Sequence, residues 1–324
     1  MQPRFELIRG AEEARLLQLA NREPENPFVT PAFVRGQSLL GFTPCLLGLW
    51  TADEMQTGCI GFFKKGRMTS SLDIRLLPDI AADSLFWLGL MRACKAIRVW
   101  DLTVCAVTHR PDPIPLLGPV TYEETGTEFF LRLGEKPDPT SLGSNHRRNL
   151  VKAEKSGLVL RRTSSPDAIA THVMLMNLSM ERRHERGEDV AVNIRQTYYR
   201  QVLSSGAGEF FQAVHPDGSV LSSVFLLRAA AGSYYQSAGT SPQGMSLGAS
   251  PFLIWRTAEL LRHEGVTCFS LGGTPPENTG LQRFKSSFGG EAVPFQTRTF
   301  NLAHPFLRRL LQLLEEVRRH VRRA

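Results

Sequence analysis

No apolar run in this 324-residue chain approaches the ~18 residues that a membrane-crossing helix requires. The opening Met1-Gln2-Pro3-Arg4-Phe5-Glu6 lacks the apolar core of an export signal, so the expected compartment is the cytoplasm. Cysteine is scarce and odd in number: Cys45, Cys59, Cys94, Cys105 and Cys268 lie scattered, mostly in apolar stretches. That pattern argues against a disulfide framework and reads as reduced, buried thiols. Zinc spacing does not join the eight histidines, so no metal is expected. A Walker loop is also missing, which argues against P-loop nucleotide hydrolysis.

What is there is an ordinary globular composition, 42% hydrophobic, with a length that suggests two domains. Charge is unevenly spread. Residues 1–140 hold 15 Lys+Arg against 17 Asp+Glu, whereas residues 141–324 hold 23 against 14. A basic second half predicts an anionic partner: nucleotide, tRNA, phospholipid or a carboxylate-rich substrate.

Strands and helices alternate in the first half. Arg4–Ile8 reads as a strand, Ala11–Asn21 as a helix, and Thr30-Pro31 as the cap and first residue of another helix. Strands follow at Pro44–Trp50, Gly58–Phe63 and Arg67–Leu76, then a helix at Ser84–Ala96 and strands at Ile97–Val107 and Glu128–Leu133. The two prolines of Gly134–Thr140 mark the junction. Beyond it come helices at Leu142–Ser156, at Pro166 to about Arg186, and at Ile194–Leu203. A meander of Glu209–His215, Ser219–Arg228 and Ser233–Gly239 follows. Helix Phe252–His263, strand Thr267–Leu271, a short helix Gly280–Phe288 and strand Glu291–Phe300 complete the half. The fold class is therefore α/β (α+β), with domains at 1–140 and 141–303. Residues 304–324 form a basic amphipathic helix, with Phe306, Leu310, Leu313, Leu314, Val317 and Val321 at three- and four-residue steps. It is expected to dock on its own protein; an interfacial membrane helix of the same composition is the alternative.

Four constellations carry chemistry. Arg148, Lys152 and Lys155 fall at i, i+4 and i+7, so three cations share one helix face, with Arg147, Arg161 and Arg162 adding charge nearby. They suit phosphate or carboxylate groups; a solvated basic face is the plain alternative. Gly248-Ala249-Ser250 opens a helix whose free N–H groups and dipole favour an anion; a glycine-rich loop with Ser250 as a simple cap is the plain alternative. Gly272-Gly273 ends a strand where substrate can approach closely, or where the chain merely turns. Finally, Phe284 and Phe288 one turn apart anchor a helix and fix Lys285 between them. Acyl transfer to an amine builds negative charge on the carbonyl oxygen, and a fixed cation answers it. The amine must also lose a proton; His184, Tyr234 and Tyr235 are candidates, each with a structural alternative, and none is assigned as the base.

Taken in order, these pieces resemble the Fem-type peptidyltransferase group and its acetyltransferase-like relatives in the GNAT superfamily. The matching residues span about 141–300: Arg147-Arg148-Asn149-x-x-Lys152-Ala153-Glu154-Lys155-x-Gly157, Tyr234-Tyr235, Gly248-Ala249-Ser250 before Leu253-x-Trp255, Gly272-Gly273, and Phe284-Lys285-x-x-Phe288-Gly289. The resemblance implies two tandem GNAT-like domains, each a mostly antiparallel sheet flanked by helices. It implies transfer of an acyl group from acyl-CoA, or an aminoacyl group from tRNA, to an amine of a cell-envelope or polysaccharide precursor. Lys285 is then catalytic. Arg148, Lys152, Tyr235, Gly272, Gly273 and Phe284 contact substrate, and Gly248, Ala249 and Ser250 hold the cofactor-type donor. The chain departs from the family in having Ser270 where Asp often precedes the Gly-Gly turn, in lacking a coiled-coil arm, and in missing the full coenzyme A loop spacing after Gln243. The absent arm tilts the donor toward acyl-CoA. No DNA partner is expected; tRNA, and the inner membrane face through 304–324, remain as contacts. A rival of another class is a non-catalytic module gripping tRNA or an anionic glycan through its basic half.

Overall fold

The apolar strand segments pair into a single sheet. This computed structural model describes residues 3–303, apart from 11–12, 53, 68, 79, 82–83, 135–138 and 189–194. The amphipathic segment 304–324 and most of the proposed junction therefore lie outside the described residues. The first half runs β1 (Arg4–Arg9), α1 (Glu13–Arg22), a short 3-10 turn (Pro27–Val29), α2 (Pro31–Leu39), β2 (Thr43–Thr51), β3 (Glu54–Lys65) and β4 (Ser70–Leu77). It continues through α3 (Leu85–Ala96), β5 (Asp101–Val107) and β6 (Val120–Arg132). The Thr30 side chain caps α2 by accepting from Phe33 N, as its position before Pro31 predicts.

The second half runs α4 (Ser144–Lys155), β7 (Val159–Thr163), α5 (Asp167–Glu185), α6 (Gln196–Ser204), β8 (Gly208–Val214), β9 (Val220–Arg228) and β10 (Gly232–Thr240). It ends with α7 (Pro242–Leu247), α8 (Ala249–His263), β11 (Cys268–Thr274), α9 (Thr279–Ser286) and β12 (Glu291–Asn301). The anticipated meander is present as β8–β9–β10. Strand β7 and helix α7 were not anticipated, because each is short and carries no periodic apolar signal.

The mostly antiparallel sheets expected of the two halves run on into one mixed sheet of the described strands, ordered β1-β2-β3-β4-β5-β12-β6-β11-β10-β9-β8-β7. The last described strand, β12, inserts antiparallel between β5 and β6, both from the first half. Its Phe300 is fully buried opposite Leu102. Only β4–β5 and β10–β11 run parallel among the described pairs.

Three apolar clusters hold helices to this sheet. One packs α3 over β2, β4 and β5 through Phe86, Leu90, Leu72 and Val104. Another joins Leu150 of α4, Leu253 and Trp255 of α8 and Phe269 of β11. The third is shared between the halves: Phe33 and Phe62 belong to the same core as Val202, Phe210 and Phe225. Here α2 crosses α6 so closely that a Cβ on Gly36 would lie 2.9 Å from Ser205 Oγ. A cut at residue 140 would thus divide both the sheet and this core.

Candidate functional site

Helix α9 carries the lysine singled out above. The Asn278 side chain caps it, accepting from Leu281 N at 3.1 Å. On its inner side the Phe284 and Phe288 rings meet edge to face at 5.3 Å, and His146 of α4 closes on them at 4.9 and 4.5 Å. His146 Nε2 lies 2.8 Å from Phe284 O, tying α4 to α9. With that face fixed, Lys285 turns into the protein. It is 5% exposed, and its Nζ donates to Gly272 O at 2.9 Å and Gly273 O at 2.8 Å. An ammonium has three donors, so one N–H stays available. Burial pulls its pKa down from the ordinary lysine value to about 8, opposed by the charge of Glu128.

The two carbonyls sit where strands part. β10 and β11 pair only over Gly232–Tyr234 and Cys268–Ser270. Past that point β10 carries a bulge against β9 between Tyr235 and Ser237, and β11 breaks register with β6 between Ser270 and Gly273. Two irregularities at one level open a notch, because a bulge bends its strand out of the ladder. Gly272 makes this possible with φ of +77°, a left-handed conformation that favours glycine. A Cβ placed there would lie 3.4 Å from Tyr235 O, 3.6 Å from Tyr234 Oη and 3.7 Å from Lys285 Nζ.

Beside the notch, on the sheet face that Tyr234 occupies, lies a cavity of about 220 Å³ lined by Arg75, Cys105, Glu128, Tyr234 and Ser270 among others. It shares Glu23, Asn26, Leu76, Val107, Phe130 and Arg132 with a wider groove of about 850 Å³. Residues 23–28 roof the cavity: Ala231 N donates to Pro24 O at 2.8 Å, Thr267 Oγ1 donates to Glu25 Oε1 at 2.7 Å, and Phe28 meets the Tyr234 ring at 4.9 Å.

Glu128 was not anticipated. Its carboxylate accepts from Ser270 Oγ at 2.6 Å, and Ser270 Oγ in turn accepts from Gly272 N at 3.0 Å. Burial raises its pKa, against the Ser270 bond and the Lys285 charge. The one signal in the sequence is a lone carboxylate beside the apolar run Phe129-Phe130-Leu131. Pairing explains its place: β6 sets Phe130 opposite Ser270 and Glu128 opposite Gly273. A carboxylate from the neighbouring strand thus stands beside Ser270, the position where the family often has Asp.

The other anticipated residues separate into groups. Gly272, Gly273 and Phe284 gather around Lys285. Tyr235 points to the opposite sheet face from Tyr234 and packs against the α8 core, as strand alternation requires; its backbone oxygen, not its ring, borders the notch. Arg148 and Lys152 are exposed on α4, with no ion pair among the described residues. Arg161 and Arg162, counted above with that basic patch, are already engaged: Arg161 bonds Gln212 Oε1 at 3.0 and 2.7 Å, and Arg162 pairs with Glu209 and Glu264. Gly248 is left-handed at φ +74° and backs onto Asn149, whose Cα would be 3.0 Å from a Cβ there. Ala249 is fully buried, and Ser250 Oγ hydrogen-bonds Thr240 Oγ1 at 2.5 Å. In this structure Gly248 brings the start of α8 against Asn149 of α4. His184 is exposed at the end of α5. No cluster of three or more His, Cys, Asp or Glu suited to a metal occurs among the described residues.

Residues 141–286 match the family model described as an acetyltransferase (GNAT) domain. No curated protein matches the chain. Among solved structures it is similar to FemX, at 14% identity and TM-score 0.68, covering 90% of this chain and 96% of that one. It is similar to a tandem GNAT protein from the clavulanic acid biosynthesis pathway, at 15% identity and TM-score 0.54, covering 91% and 98%. L-PGS from Bacillus licheniformis follows at 12% identity and TM-score 0.56, covering 93% and 95%. Residues 141–286 thus match a GNAT-domain model, and the chain as a whole shares its fold with FemX and the tandem GNAT protein.

Proposed function

We propose that this N-acyltransferase moves the acyl group of an acyl-CoA onto an amine of a cell-envelope or polysaccharide precursor, at the notch between β10 and β11. One observation carries the reading. A buried lysine ammonium is held by the Gly272 and Gly273 carbonyls at the strand break, with one N–H free, beside a cavity that contains a carboxylate. A tetrahedral intermediate places negative charge on the former carbonyl oxygen, and a pre-fixed cation stabilises it without reorganising.

The proton balance follows from the same residues. The acceptor enters as an ammonium from the groove and gives its first proton to Glu128, which burial makes a stronger base than an exposed carboxylate. The free amine adds to the acyl carbon, forming C–N; collapse breaks C–S. The second amine proton leaves with the thiolate as thiol.

The exposed, unpaired Arg148 and Lys152 on α4 support a contact with the anionic part of the donor. Aminoacyl-tRNA is the second donor that such a stripe suits. A thermal-shift series with coenzyme A, acetyl-CoA, longer acyl-CoAs and an aminoacyl-tRNA mimic separates them. A ligand at a hundred times its dissociation constant adds about 2.7 kcal/mol of stability. Stabilisation by an acyl-CoA is expected. Silence toward every coenzyme A species with a response to the tRNA mimic reverses the donor. Binding without turnover of any amine supports a non-catalytic module instead.

A further inference from the structure

We infer that the cavity beside the notch takes an amino-carboxylate: the acceptor's ammonium rests on Glu128 and its carboxylate on Arg75. This deepens the function proposed above and rests on it, since it names the chemical class of the acceptor.

Size restricts the occupant first. About 220 Å³ equals roughly seven waters at ~30 Å³ each, room for an amino-acid-sized group and too little for a nucleotide or a lipid chain. Any larger remainder of the acceptor extends into the adjoining groove of about 850 Å³.

The two poles are a carboxylate and a guanidinium that each keep hydrogen-bonding capacity open toward the cavity. Glu128 uses one oxygen to accept from Ser270; its second forms no hydrogen bond among the described residues. Arg75 forms an ion pair with Asp73, Nε 3.3 Å from Oδ2 without hydrogen-bond geometry, so the donors it has to spare are its terminal nitrogens. Neither of its terminal nitrogens bonds a described residue. Its guanidinium is backed by the rings of Phe33 and Phe62 at 5.8 and 5.9 Å, which hold it in place. A planar fork held still with free N–H groups suits a carboxylate. By contrast, Arg132, also on the lining, is committed to Glu25 and Glu291 at 3.0 Å each. Tyr234 lines the same cavity.

Spacing restricts the ligand further. Arg75 stands on β4 and Glu128 on β6, with β5 and β12 between them. Three strand spacings put the backbones at least about 14 Å apart. The two side chains reach across part of that span, so the fitting ligand separates its charges by several methylenes, unlike glycine.

Calorimetric titration of the full chain, without acyl donor, tests this directly. The ligands are glycine, γ-aminobutyrate and ε-aminocaproate, with hexylamine and hexanoate as single-charge controls. The expected result is that ε-aminocaproate binds at least tenfold tighter than either control and than glycine. Arg75→Gln should reduce it to the affinity of hexylamine, Glu128→Gln to that of hexanoate, and Arg75→Lys should retain part of the gain. Should Arg75→Gln fail to fold, the wild-type series and Arg75→Lys still decide. Equal affinity for hexylamine and ε-aminocaproate, or no binding by any of the five, overturns the inference. The two readings fail separately. Zwitterion binding without acylation by any donor leaves this site standing and removes the transferase function. Acylation of an amine that lacks a carboxylate, with no zwitterion binding, does the reverse.

Discussion

Replacing Lys285 with methionine, a side chain of similar length without charge, separates the catalytic role proposed for this lysine from its structural one. Two effects oppose each other in stability. Lowering a lysine pKa from 10.5 to about 8 corresponds to about 3 kcal/mol of charge-burial penalty, which Lys285→Met removes. The same change deletes two hydrogen bonds from a charged donor, each worth about 1.5–3 kcal/mol, and leaves the Gly272 and Gly273 carbonyls without that partner. The net destabilisation is therefore roughly 0–3 kcal/mol, small enough for the fold to survive. Turnover has no such compensation: loss of an oxyanion donor lowers kcat by about 10²–10³. Urea unfolding and steady-state kinetics on the same preparation read both numbers. The pH dependence adds an independent check. Because the folded pKa is depressed, the wild type lacks this stability contribution below about pH 8 and gains it as pH rises toward 10.5. Activity that needs the ammonium falls in the opposite sense, as pH passes above about 8. The variant should show neither dependence. A folded Lys285→Met protein with kcat within about fivefold of wild type would refute the assignment of Lys285 to the reacting centre.

Other expectations bear on the surroundings. Gly232→Ala drives a Cβ to 1.9 Å from Glu25 O, so the backbone of the 23–28 roof must move; acceptor KM should rise, with a loss of about 1–3 kcal/mol in urea unfolding. His172 is fully buried between Ser223 and Ser237, each at 3.0 Å, and burial pulls its pKa from 6.5 to about 3. Its contribution to stability is present above pH 6.5 and is lost toward pH 3 at about 1.4 kcal/mol per pH unit. His172→Leu should be less stable at neutrality yet lack that slope. The Arg148→Ala/Lys152→Ala double variant should unfold within about 0.5 kcal/mol of wild type, since both side chains are solvated. Its binding of the anionic donor, measured across a salt series, should weaken and lose part of its salt dependence; unchanged binding would remove α4 from the site.

The sequence made the helices and the β8–β9–β10 meander readable because their signals are local. Thr30-Pro31 caps, Gly157 and Gly265 stop, and apolar alternation marks strands. Lys285 was legible for the same reason: Phe284 and Phe288 fix the helix phase within one turn. What stayed hidden depends on partners distant in the chain. Glu128 acquires its surroundings from Ser270, 142 positions away, and Arg75 from Phe33, Phe62 and the cavity between the halves. At Gly248–Ser250, likewise, nothing local announces that Asn149 will lie against the turn. Arg161 and Arg162 likewise read as free charge until β8 and α8 supplied Gln212, Glu209 and Glu264.

The threading of β12 between β5 and β6 also dictates an order of assembly. The amino-terminal portion cannot close its ladder until about three hundred residues have left the ribosome, and until then two long strand edges stand open to stray pairing. Contacts of such sequence separation form slowly, so a chaperone-dependent nascent stage is expected. For the same reason, the two halves made as separate polypeptides should be insoluble alone and recover a native fold only when refolded together.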